Sequence, residues 1–137
     1  MLLALTGPSP LSLKPLLLAL SLFAAAPALA QEPPRRAPDQ RQIVTDLAYV
    51  LGEAHGLHRL CAGPADATWY AKMQQLLSAE APDSGFRRRL VDSFNAGYQA
   101  RQAEFPVCGK ASQAAERAAA AHGASLARQL ARARASE

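Results

Sequence analysis

The sequence predicts an all-α fold: a small four-helix up-down bundle closed by one disulfide and preceded by a cleavable signal peptide. Three observations predict it. Apolar residues recur every three or four positions in four segments, separated by proline- and glycine-bearing breaks. Neither a period-two alternation nor an Asn-Gly hairpin signal occurs. The chain has two cysteines, Cys61 and Cys108, and an up-down path brings both to the same end.

The first thirty residues read as an export leader. Lys14 supplies a positive charge, Leu16 to Ala26 form an apolar run, and Pro27 breaks it. Ala28-Leu29-Ala30 then gives a small-residue cleavage signal, with cleavage after Ala30. The run falls short of the roughly 20 residues that a spanning helix needs. Residues 31–37, with Pro33, Pro34, Arg35 and Arg36, read as a solvated linker, and 38–137 as one helical domain.

Helix one runs from about Pro38, a residue suited to a first helical turn, to Leu60. Ile43, Leu47, Leu51, Ala54, His58 and Cys61 share a face at helical spacing, and Ala62-Gly63-Pro64 stops the helix. Asp66 is the expected cap of helix two, whose inner face carries Trp69, Met73, Leu76 and Leu77 before Ala81-Pro82 ends it. Asp83 or Ser84 caps helix three, with the stripe Phe86, Leu90, Phe94, Gly97 and Tyr98 and a stop at Phe105-Pro106. Helix four, about Lys110 to Ala133, is alanine-rich. Its packed side is read as Ala115, Ala119, His122, Leu126 and Leu130.

Export makes the cysteine pair a disulfide, because oxidising compartments preserve such bonds. Closing a loop of nearly fifty residues stabilises by about 4 kcal/mol in the chain-entropy account. The leader places the protein in the periplasm. Loss of Lys14 with the leader leaves fourteen Lys and Arg against eleven Asp and Glu, a net +3 over 107 residues. That mild excess falls short of the concentrated charge of a nucleic-acid binder.

Little in the chain carries recognisable chemistry. It has no G-x-S-x-G, no H-E-x-x-H, no phosphate-binding glycine loop and no C-x-x-C-H haem attachment, so no catalytic residue is assigned and no cofactor is expected. His55, His58 and Cys61 stand at i, i+3 and i+6, but the disulfide consumes both thiolates and no metal is assigned. One layer of the bundle collects the unusual groups: His55, His58, Trp69, Tyr98 and Arg101 form a candidate binding cluster near the disulfide. A structural polar cap is the plainer reading, and a small-ligand or peptide pocket the sharper one. Arg101 falls within the apolar stripe of helix three, which is costly unless it pairs or snorkels. His58 is read as a hydrogen-bonded residue beneath the disulfide.

Gly52 and Gly56 lie inside helix one, beside Tyr49 and away from its apolar stripe. Glycines four apart admit a close helix, either helix four or a partner, so Tyr49, Gly52 and Gly56 are a candidate interface. Arg87-Arg88-Arg89 open helix three against its dipole, and Arg128, Arg132 and Arg134 close helix four. Solubility explains both clusters, and weak contact with an anionic membrane surface or with an acidic protein surface is the functional alternative.

Leu51-Gly52-Glu53-Ala54-His55, Leu57, Leu60-Cys61, Trp69, Met73, Leu77, Glu80, Phe94-Asn95-Ala96-Gly97-Tyr98 and Cys108 together resemble an uncharacterised family of small exported alphaproteobacterial proteins. The resemblance spans about residues 44 to 110. It implies a periplasmic setting and supplies no activity, cofactor or catalytic residue. The expected function is a non-catalytic helical domain binding an envelope protein or other envelope component. The alternative is a small-ligand or metal-binding protein that uses the disulfide-capped end.

Overall fold

The computed structural model describes residues 36–136, so the expected leader and most of the linker lie outside the described residues. Four helices follow in order: α1 (Pro38–Ala62), α2 (Thr68–Glu80), α3 (Ser84–Glu104) and α4 (Lys110–Ala135). Successive helices reverse direction, as their short connections require.

Local chemistry explains the boundaries. Pro38 occupies the first turn of α1, where its missing N–H costs nothing. The α2 cap is shifted by one residue from expectation. Ala67 is the capping position, while Asp66, one residue earlier, accepts from the Thr68 N–H and the Thr68 hydroxyl. Asp83 caps α3 by accepting from the Phe86 N–H at 2.9 Å. Pro82 follows Ala81, which closes α2 in the left-handed region at φ 40°. The Ser112 hydroxyl ties the start of α4 to Gly109, accepting from its N–H and donating to its carbonyl.

α1 is the hub of the bundle, and each of the other three helices lies against it. It therefore buries Val44, Leu47, Ala48 and every residue from Val50 to Leu57. A single apolar face understates this, because three neighbours surround the helix rather than one. Around it the core is completed by Met73 and Leu77 of α2, Phe86, Leu90 and Phe94 of α3, and Ala119, Leu126 and Leu130 of α4.

The glycines set the helix spacing. Gly52 and Gly56 meet α3, not α4: a Cβ on Gly52 would stand 1.9 Å from the Phe94 carbonyl oxygen, and one on Gly56 3.0 Å from that of Tyr98. Gly97 answers from α3, where a Cβ would reach within 2.1 Å of the Tyr49 carbonyl oxygen. Three glycines across one crossing let the two backbones touch. The surface of Tyr49, Gly52 and Gly56 is thus covered within the chain. α4 docks through Gly123 over Val50 and Leu47, so Gly123 is buried and His122, expected on the packed side, is exposed.

The disulfide joins Cys61 at the end of α1 to Cys108 before α4, with Cα atoms 5.0 Å apart. At the opposite pole Arg36 bonds Glu80 at the end of α2, Arg134 of α4 donates to the same carboxylate at 3.0 Å, and Arg41 lies 3.7 Å from Asp83. No described helix is long and apolar enough to cross a membrane.

Candidate functional site: a cleft beside the disulfide-capped end

The residues expected to cluster divide between three places. His55 and Tyr98 come together, with ring centroids 5.5 Å apart. His58 and Trp69 meet instead at Glu116 of α4, whose Oε1 lies 2.8 Å from His58 Nδ1 and 3.2 Å from Trp69 Nε1. The other His58 nitrogen faces Asp66 at 3.5 Å. This imidazole thus links α1, α4 and the α1–α2 connection beneath the disulfide. Arg101 turns to Glu53 at 2.7 Å and also bonds Glu104. Burial works against its charge, and these two carboxylates outweigh that burial, holding its guanidinium above the ordinary arginine range.

A cleft of about 420 Å³ lies between the second half of α1, the following connection, α2 and α3. Its lining includes His55, Arg59, Asp66, Tyr70, Asn95 and Tyr98. The rings of Tyr70, Phe94 and Tyr98 surround the imidazole of His55 at 5.5–6.3 Å. Tyr70 remains half exposed at the edge of the core.

His55 is 7% exposed, and its Nδ1 has no hydrogen-bond partner among the described residues. Burial pushes its pKa below the ordinary value, and the neighbouring Arg59 cation pushes it the same way. The ring is therefore neutral at pH 7. Arg59 donates to the Pro64 carbonyl at the mouth of the connection, while its Nε is buried without a partner. Of the three buried side-chain atoms left unpaired among the described residues, two belong to residues that line this cleft. Asp66 is held as a carboxylate, its pKa lowered by the Thr68 N–H and by His58.

The residues that line the cleft include no serine, threonine, cysteine or lysine for a base to activate. Among the described residues no group of three or more His, Cys, Asp or Glu side chains is placed to hold a metal ion. Sequence reasoning missed Arg59 and Tyr70 as cleft residues, and Glu116 as the shared acceptor. Asn95 was visible only as part of the Phe94–Tyr98 segment. Arg59 sits in the last turn of α1, where a cation is ordinary, so its type carried no signal.

No curated protein and no solved structure matches the chain. A family described as "Protein of unknown function (DUF2385)" matches residues 38–133, a range that takes in all four helices, including the α4 that lay mostly beyond the segment carrying the resemblance. With the whole helical domain matched from the first turn of α1 to the last turns of α4, the chain belongs to the DUF2385 family.

Proposed function

We propose that the protein is an exported, non-catalytic helical domain of the periplasm that binds a small organic anion with a flat apolar body in the cleft beside the disulfide. Export is supported by the leader pattern, the resemblance to exported alphaproteobacterial proteins and a disulfide between two exposed cysteines.

The observation that carries the binding reading is the unspent hydrogen-bonding capacity of His55, which aromatic side chains surround, and of Arg59, which lines the same cleft. Buried polar groups without partners are uncommon, and two in residues that line one cleft support it as a place for a ligand. Arg59 can only donate, so the complementary group is an acceptor, a carboxylate or a phosphate. Tyr70, Phe94 and Tyr98 suit a planar body against them. The cleft volume falls within the range of small-molecule sites. Docking of an envelope protein on the glycine face loses its support, because α3 already covers that face.

Benzoate, phenyl phosphate and neutral benzyl alcohol, titrated separately under amide and side-chain NMR, test this. The two anions shift Tyr70, Asn95, Tyr98 and the His55 ring, and benzyl alcohol binds more weakly. Arg59→Gln weakens anion binding by about tenfold or more, the value of a charge-assisted hydrogen bond. Shifts that avoid the cleft, or unchanged affinity in Arg59→Gln, reject the reading.

A further inference from the structure

The end of the molecule opposite the disulfide collects its arginines. α1 and α3 begin at this pole and α2 and α4 end there, as the contacts of Arg36 and Arg134 with Glu80 and of Arg41 with Asp83 show. Two basic clusters about forty residues apart in sequence thereby reach one pole. Arg87, Arg88 and Arg89 are exposed on the first turns of α3, and Arg128, Arg132 and Arg134 on the last turns of α4.

The local acids do not neutralise them. Glu80 is engaged by Arg36 and Arg134, and Asp83 faces Arg41. Asp39, Asp46 and Asp92 are the remaining exposed acids nearby among the described residues. Among the described residues eight arginines thus stand against five carboxylates, so positive charge is concentrated here. Among the described residues, no ion pair or side-chain hydrogen bond holds Arg87, Arg88, Arg89, Arg128 or Arg132. Arg87 closes the first turn of α3, where a cation opposes the helix dipole, and Arg88 and Arg89 follow it.

From this pole we infer a second binding surface, one for anionic phospholipid headgroups. Guanidinium groups meet phosphate with paired hydrogen bonds, and unpaired arginines need break no existing contact to do so. Each basic residue near an anionic surface changes partitioning by about fivefold. This inference rests on the export reading and is independent of the cleft.

The test uses the mature protein purified after export, co-sedimented with phosphatidylcholine vesicles and with vesicles that also contain phosphatidylglycerol. Binding is expected only to the second kind and is released by salt. The variant R87Q/R88Q/R89Q loses about a hundredfold in partitioning, and R128Q/R132Q loses less, with the melting temperature of each unchanged. K110Q/R117Q removes two charges at the disulfide end and binds as the parent does. Absence of binding to phosphatidylglycerol vesicles overturns the inference. So does equal loss in K110Q/R117Q, which points to net charge without a surface. Binding to polyglutamate but not to vesicles assigns the pole to an acidic protein instead.

Discussion

At the scale of single residues, the consequential group is His55. Its ring is buried beside a cation, and both effects disfavour the imidazolium form. A base whose folded pKa is depressed stabilises the fold fully above its unfolded value, 6.5, and loses that contribution as pH falls through the folded value. Urea midpoints are therefore expected to fall between pH 7.5 and pH 5, with a smaller fall in His55→Asn. Equal pH slopes in the two proteins exclude His55 as the source. Asp66 acts in the same direction at lower pH, since its carboxylate is also favoured by folding. The residue types at the top layer were legible in the sequence; their partners were not. His58 was read as a hydrogen-bonded residue beneath the disulfide, yet Glu116, its partner, lies 58 positions away with no local signal.

At the scale of elements, glycine decides which helices touch. Gly52 and Gly97 face each other's helices so closely that neither has room for a methyl group against the opposing carbonyl. Backbone cannot yield as a flexible side chain does, so Gly52→Ala forces α1 and α3 apart. The expected loss is about 3 kcal/mol, at the upper end of overpacking costs. Equilibrium unfolding by urea measures it, and a loss below about 1 kcal/mol contradicts a backbone-limited crossing. Sequence spacing exposed the glycine pair on α1 but offered α4 or a partner as its neighbour, where the structure has α3. Helical periodicity gives the side of a helix, whereas the identity of the neighbour on that side depends on how the elements are arranged around it. The same limit moved His122 outward and Gly123 inward on α4.

At the scale of the whole molecule, the fold is a hub with three satellites, fastened at both poles. The disulfide closes a separation of 47 residues at one pole. The Arg36–Glu80–Arg134 contacts join three helices at the other. A 100-residue helical domain has a modest core, so a crosslink of this span weighs heavily. Cys61→Ala/Cys108→Ala is expected to cost about 2–4 kcal/mol, read from the urea midpoint and slope. Equal stability of the oxidised protein and the double variant contradicts this. Charge is divided as the poles are, with the arginine clusters opposite the cleft.

The sequence by itself determined the helix count, their ends within a few residues, the alternating directions and the cysteine pairing. These follow from local causes: apolar periodicity, proline breaks, caps and short connections. Only the tertiary structure decided that α1 is surrounded, that α3 seals the glycine face, and that His55, Arg59, Tyr70, Asn95 and Tyr98 share one cleft. The physical reason is that each helix can turn about its own axis without altering its local pattern. The rotation is settled by contacts between helices, here chiefly by backbone meeting backbone at Gly52, Gly56 and Gly97.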